Sequence, residues 1–291
     1  MAIQRRTFLG LSTAAALGAG GYLLGGGNAL ADPATTQQQH AVGVRRYDWE
    51  RDGRPCTTFV YYPATGDAGG DPVEDAPVAD GAFPVYNFTH GYGASPQGSE
   101  FIIRPLAAAG FIVPGPHFEY NFDDVYSGDM SMDVSEIITQ TLALNEADDP
   151  LAGHIDDTPG VGVSGHSLGG MTTHGLLTAW PDERVTSANP QSCVDMGDPS
   201  DSVSAKVLFV HGDQDPTTEY SSARQAYEEM SAPKAFLTFE GGNHTSFWSD
   251  DRFPNTVVDW ALWGLYDDTE AKDRLEEDAA GDDTNWEFVE E

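Results

Sequence analysis

The sequence predicts an α/β fold: a mostly parallel central sheet with helices on both faces and an antiparallel hairpin at its N-terminal edge. Three observations carry this. Short β-rich runs alternate with helix-length segments, residues able to do chemistry recur just after those runs, and a glycine-rich turn joins one strand directly to a helix. Strand-helix alternation brings each crossover back over the sheet, which covers both faces.

The elements follow in order. Val42 to Trp49 and Cys56 to Tyr62 are β-forming runs separated by Arg51-Asp52-Gly53-Arg54-Pro55, the pattern of a hairpin. Pro63 to Gly81, rich in Gly, Pro, Ala and Asp, reads as a surface loop. Phe83 to Phe88 reads as a buried strand running into Thr89-His90-Gly91-Tyr92-Gly93. Ser99 to Ala109 is a helix ended by Gly110, and Phe111-Ile112-Val113 is the next strand. His117 to Met130 reads as an acidic, aromatic loop, followed by a helix from about Ser131 to Ala147. Strands recur at Val161 to Ser164, Val185 to Ala188, Val207 to His211 and Ala235 to Phe239, with a helix from Met171 to Trp180 after the first.

Three segments are expected. Residues 1–31 read as a twin-arginine signal, from Gln4-Arg5-Arg6-Thr7-Phe8-Leu9 through an Ala/Gly/Leu stretch to the small-x-small site Ala29-Leu30-Ala31. The mature chain then starts at Asp32 and is exported through the twin-arginine machinery; left uncleaved, the segment would be a membrane anchor. Residues 32–266 read as one domain, since a chain of this size buries one large core. Residues 267–291 read as an acidic tail expected to be mobile, with Trp286 and Phe288 able to dock it.

Of 47 acids and 14 Lys or Arg residues, only Arg5 and Arg6 precede Asp32, which leaves 12 bases against 47 acids and a formal charge of −35. Such a charge excludes nucleic acid as a partner and self-repels in dilute buffer. At molar salt the Debye length shrinks to about 3 Å and the repulsion is screened, so the composition points to a halophilic protein. An aromatic content of 11% argues against an acidic disordered chain. Cys56 and Cys193 allow one disulfide at most, and no CxxC or His/Cys cluster suggests a metal.

Gly165-His166-Ser167-Leu168-Gly169-Gly170 is the most informative stretch. It follows the strand-like Val161 to Ser164 and precedes a helix, which is the context of a nucleophile elbow. Alone, a Gly-x-Ser-x-Gly is also what an ordinary glycine-rich βα turn shows, so the partners decide. Serine needs a base, and the base needs an orienting carboxylate. Val207 to His211 leads into Gly212-Asp213-Gln214-Asp215-Pro216, and Phe236 to Phe239 leads into Glu240-Gly241-Gly242-Asn243-His244. The order Ser167, acid, His244 is that of the α/β-hydrolase fold, with steps of 48 residues to Asp215 and 29 more to His244. Both Asp213 and Asp215 can serve as the acid. Among the eight histidines His244 alone has the right position; His90 and His211 end strands before glycine, and His166 flanks the serine. An oxyanion hole needs two N–H groups, which the pattern assigns to Leu168 and to Tyr92.

With these motifs the chain resembles the secreted dienelactone-hydrolase-like α/β-hydrolases, and within them the bacterial cutinases and polyester hydrolases. The likeness runs from about Cys56 to Leu265, through Thr89-His90-Gly91-Tyr92, Gly110-Phe111-Ile112-Val113, Asp156, the elbow, Asn189-Pro190-Gln191, Asp215 and Gly241-Gly242-Asn243-His244. The resemblance implies Asp215 as the acid. It also implies a Trp shortly after the Pro-Gln pair in the polyesterase branch, where this chain has Val194, and a Met in the elbow, where it has Leu168. A serine nucleophile sets it apart from dienelactone hydrolases proper, which use cysteine.

The expected function is a secreted, monomeric serine carboxylesterase acting on a small or polymeric ester without a cofactor. Ser167, His244 and Asp215 form its triad, Tyr92 and Leu168 its oxyanion hole, and Tyr92 and Val194 line its substrate site. Phe118-Glu119-Tyr120-Asn121-Phe122 lies on the same rim, either lining the groove or covering the core. The alternatives are a peptidase or amidase on the same triad and a non-catalytic binding module.

Overall fold

The computed structural model describes residues 39–119 and 121–291; the twin-arginine signal, its cleavage site and the expected start at Asp32 lie outside the described residues. β1 (Ala41–Arg51) and β2 (Arg54–Ala64) pair antiparallel along their whole length, from Ala41 opposite Ala64 to Arg51 opposite Arg54. Only Asp52 and Gly53 turn the chain, both with left-handed φ (52° and 79°), as a tight right-twisted hairpin requires. The turn is therefore shorter than the five-residue spacer the sequence suggests. β3 (Val73–Glu74) is a short strand inside the segment expected as pure loop, added parallel to β1. β4 (Phe83–Pro84) and β5 (Tyr86–Thr89) split the expected 83–88 strand.

α1 (Glu100–Ala108) leads to β6 (Val113–Pro116), displaced from the expected 111–113 strand. Ile112 makes a single parallel bridge with Val85, and the prolines of β6 fit because it pairs along one side with β2. α2 (Phe122–Ser127) and α3 (Asp129–Ala143) replace the expected loop and shift the next helix toward the N-terminus. The signals are local: Asn121 caps α2 by accepting the Asp123 N–H at 3.0 Å, and Gly128 at φ 88° both ends α2 and begins α3.

β7 (Ile155–Asp156) pairs with β4, and β8 (Val161–His166) leads straight into α4 (Leu168–Gly175). α4 begins three residues before the expected helix, because the Met171 N–H already bonds the Ser167 carbonyl at 2.8 Å. β9 (Val185–Gln191), β10 (Lys206–Gly212), α5 (Tyr220–Glu229), β11 (Lys234–Phe239) and α6 (Arg252–Tyr266) continue the alternation. α7 (Thr269–Ala279) and β12 (Thr284–Val289) complete it.

The main sheet runs β12-β11-β10-β9-β8-β5, parallel except for β12, and the Val85 to Ile112 bridge continues it toward the sheet β6-β2-β1-β3. Alternate residues of each strand point to opposite faces. Val207 and Phe209 enter the core shared with α3, α4 and α5, while Leu208 and Val210 enter the core shared with α1, α6 and α7. The predicted α/β-hydrolase architecture, a parallel sheet clad on both sides with an N-terminal hairpin, is the fold observed. Among the described residues no helix is long and apolar enough to cross a membrane.

Residues 267–291 do not form the expected mobile tail. Ala271, Leu275 and Ala279 recur every four residues and bury one face of α7, and β12 pairs antiparallel with β11, Leu237 opposite Trp286. Phe288 packs edge-on against Trp263 at 5.6 Å, and Arg224 holds Glu287 at 2.6 Å. The acid-rich composition masked a four-residue apolar repeat and a strand of period two.

Asp278 of α7 is the unusual carboxyl of this region. Burial, then the hydrogen bond and charge of Asp259, push it up to about 7. Asp259 is itself buried and takes both nitrogens of Arg274, at 2.8 and 2.7 Å. A carboxyl raised in the fold contributes stability that is full below its ordinary pKa and lost as pH climbs through the folded value. Asp278→Asn should therefore gain Tm over the wild type progressively between pH 5 and pH 8. Thermal melts at both pH values check this, and a Tm difference that does not change with pH contradicts it.

Candidate active site

Every residue the sequence assigns to the site follows a strand of the main sheet, on the rim where α/β sheets bind ligands. Ser167 stands between β8 and α4 with φ 57° and ψ −119°, a strained conformation costing on the order of 1–3 kcal/mol. The glycines around it are there for close approach. A Cβ on Gly165 would lie 2.5 Å from the Gly169 carbonyl oxygen, and one on Gly169 would lie 2.0 Å from the Thr89 carbonyl oxygen. Backbone meets backbone on both sides, which leaves the serine as the side chain that projects.

Asp215 and His244 meet. His244 Nδ1 lies 2.6 Å from Asp215 Oδ2, and the Asp215 side chain is fully buried. Burial alone would raise this carboxyl. Hydrogen bonds from His244, the Thr217 and Thr218 N–H groups and the Thr218 hydroxyl outweigh it and hold the carboxyl below its ordinary range. Asp213 does other work: it accepts the Gly241 N–H at 2.6 Å and so ties the β10 turn to the loop carrying His244. Of the two acids the sequence leaves open, the fold brings Asp215 to the histidine.

His244 is held by its backbone as well. Its carbonyl accepts from His166 Nε2 at 2.8 Å and from the Ser192 hydroxyl at 3.2 Å. Burial pulls the His166 imidazole down to about 3, so the ring is neutral and its proton sits on Nε2, the nitrogen that donates. The His166 and His244 rings are 4.6 Å apart, and Trp248 closes edge-on against His166 at 4.6 Å. Ser192, directly after β9, reaches the same carbonyl from a left-handed φ of 41°.

Tyr92 and Leu168, the two residues the sequence assigns to an oxyanion hole, both lie beside Ser167 in the chain or in space. Leu168 opens α4, where N–H groups lack intrahelical partners. Tyr92 follows Gly91, whose Cβ would lie 3.1 Å from Ser167 Cβ. Among the described residues neither N–H is engaged in a hydrogen bond. His90 fixes this loop: Nδ1–H donates to the Gly91 carbonyl at 2.7 Å while Nε2 accepts the Phe118 N–H at 3.1 Å, an arrangement that needs the neutral ring, which burial favours by lowering its pKa to about 4. Tyr92 is 65% exposed. Val194 is half-buried and packs against the core beneath α4 and α5.

Thr218, Ser192 and the donor role of His166 escape a reading of the sequence. Thr218 carries the faint signal of a hydroxyl three residues after the acid, whereas Ser192 and His166 act through a backbone carbonyl that no side-chain pattern reveals. Cys56 and Cys193 are free, buried thiols, pushed up to about 11 and about 12 by burial, and so serve as core residues. A cavity of about 510 Å³ opens beside β2 and β6, lined by Arg54, Thr57, His117, Glu119, Asp124 and Asp133; its walls exclude Ser167, Asp215 and His244.

The chain matches the family model described as alpha/beta hydrolase family over residues 137–251, from within α3 to just past His244. That stretch contains Ser167, Asp215 and His244. No curated protein matches the chain. The match covers less than half of the chain; with the fold described above it makes the protein similar to the α/β hydrolases, a family generally made up of hydrolytic enzymes.

Thr218 is buried and supplies a hydrogen bond to a buried charge, a contact worth roughly 1.5–3 kcal/mol. Thr218→Val should lower stability by that amount in denaturant titrations, and Thr218→Ser should recover most of it. A loss in Thr218→Ser with none in Thr218→Val would assign the effect to the methyl group instead.

Proposed function

We propose that the protein is a serine carboxylic-ester hydrolase. The observation that carries this reading is the 2.6 Å contact of Asp215 with His244, on a ring lying against the neighbour of a strained elbow serine. Ser167 attacks the ester carbonyl, and His244 takes the hydroxyl proton and returns it to the departing alcohol. Asp215 keeps a proton on Nδ1 of His244, so that Nε2 is the basic nitrogen, and stabilises the imidazolium. The N–H groups of Leu168 and Tyr92 receive the oxyanion, each such donor being worth roughly 3–4 kcal/mol. Water admitted to His244 then cleaves the acyl-enzyme.

The motifs ally the chain with the dienelactone-hydrolase-like and cutinase or polyester-hydrolase group; Val194, in the place of that branch's Trp, favours small or flexible esters over aromatic polymers. The segment before Asp32 directs twin-arginine export, so the enzyme acts outside the cell; it works as a monomer. The acid excess adapts it to molar salt.

A fluorophosphonate probe should label Ser167 in the folded protein, and Ser167→Ala should abolish both labelling and hydrolysis of p-nitrophenyl butyrate. Asp215→Asn should lower kcat by on the order of 10⁴-fold, as loss of the orienting carboxylate does in serine proteases. Turnover of the matching anilide without turnover of the ester would overturn the esterase reading. Lowering salt from 3 M to 0.05 M should lower the circular dichroism melting temperature, because the Debye length lengthens from about 3 Å or less to more than 10 Å. A melt unchanged by salt would remove the halophilic assignment.

A further inference from the structure

Tyr92, Phe122 and Tyr126 are large apolar residues left in water, at 65%, 52% and 61% exposure, on a strongly acidic protein. They form one strip. The Tyr92 and Phe122 rings are 5.3 Å apart with planes inclined by 37°. Phe122 and Tyr126 are four residues apart on α2 and therefore share a face. Val125, 1% exposed, anchors the other side of that helix, and Gly128 seats its end on the Trp180 ring. From the Tyr92 ring the strip extends 5.3 Å to Phe122 and about 6 Å further along the helix to Tyr126.

The strip is joined to the loop beside Ser167, because Tyr92 follows the glycine packed against that serine. Its side of the serine is defined by the sheet. β8 carries Ser167; β9, β10 and β11 lie on one flank, the last leading to His244, and β5 lies on the other, leading to Tyr92. The leaving alcohol must depart beside His244, which returns its proton. The acyl substituent is thereby directed to the opposite flank, where the aromatic strip stands.

We propose that Tyr92, Phe122 and Tyr126 form the acyl-binding face of the site, and that the substrates are esters of apolar carboxylic acids of medium length. This rests on the serine-esterase reading and adds to it the acid moiety. α2 is then a specificity element: a rigid six-residue helix, held by buried Val125, that presents two rings to the acyl chain.

The test is a series of p-nitrophenyl esters from acetate to decanoate, with the leaving group constant. In the wild type kcat/KM should rise roughly two- to four-fold per added methylene, following the transfer free energy of a buried CH₂, and level off once the strip is covered. In the double variant Phe122→Ala, Tyr126→Ala the octanoate-to-acetate ratio of kcat/KM should fall tenfold or more. Val289→Ser, at an exposed apolar residue of β12, should keep the wild-type ratio. If the double variant loses its circular dichroism spectrum, Phe122→Gln alone is read by the same ratio.

A flat wild-type profile, or a ratio unchanged in the α2 variants, overturns the inference. So does a series of acetate esters of lengthening alcohols in which the variants lose discrimination instead, since the strip would then hold the leaving group. A wild-type dimer in sedimentation that the double variant disperses would assign the face to a second copy of the chain, against the proposal. Labelling of Ser167 separates the two levels: a labelled serine with a flat acyl profile defeats this inference alone, and an unlabelled one defeats the esterase reading beneath it.

Discussion

The close approach of β5, β8 and α4 at Thr89, Gly165 and Gly169 is the constraint on which the rest of the site depends. Contacts that would place a Cβ 2.0 to 2.6 Å from neighbouring carbonyl oxygens exclude every side chain except hydrogen. With both flanks closed, the chain passes from strand to helix within one residue, and that residue is driven to φ 57°. The strain at Ser167 is the consequence of packing α4 directly on the sheet, and the elements on either side of it hold the conformation in place.

His244 is positioned by a different device. Its side chain is oriented by Asp215, but its main chain is fixed through a carbonyl that takes two hydrogen bonds from groups at other strand ends, His166 closing β8 and Ser192 directly after β9. The loop after β11 is thus fastened to the two strands nearest the serine. His166 does this as a neutral donor, and the burial that depresses its pKa guarantees the protonation state the contact needs. On the opposite flank His90 fastens the Gly91-Tyr92 loop to the segment after β6. Two buried histidines hold the two loops between which Ser167 stands.

The order of strands, the hairpin and the juxtaposition of Asp215 with His244 were legible in the sequence because each rests on a local pattern: β-rich runs, an Asp-Gly pair, and motifs fixed after strand ends. Where the reading failed, the deciding contact was long-range or compositionally hidden. α2 is six residues of mixed acidic and aromatic character with one buried valine, too short for a period to show. α7 and β12 lie in acid-rich sequence, and their apolar positions gain meaning only against α6 and β11. The choice between Asp213 and Asp215 turned on loop geometry two residues apart, settled in the fold by which carboxylate faces the histidine and which faces the Gly241 N–H.

The acid excess sharpens what is special about Asp215. The buried carboxylates Asp133, Asp182 and Asp259 each hold an arginine: Arg51 and Arg54 on the first, Arg184 on the second, Arg274 on the third. A buried carboxylate without a cation is expensive, and four of this chain's scarce bases are committed to those sites. Asp215 is as buried, yet its partners are two backbone N–H groups, a threonine hydroxyl and His244. Neutral donors stabilise its charge without cancelling it. An arginine in their place would keep Asp215 ionised but would also repel the positive charge that His244 acquires in the proposed reaction. By using dipoles for solvation, the fold keeps lysine and arginine away from Asp215; the second imidazole nearby, His211 at 3.9 Å, has its pKa lowered by burial, so the attraction of the carboxylate is available to His244 when the proton moves.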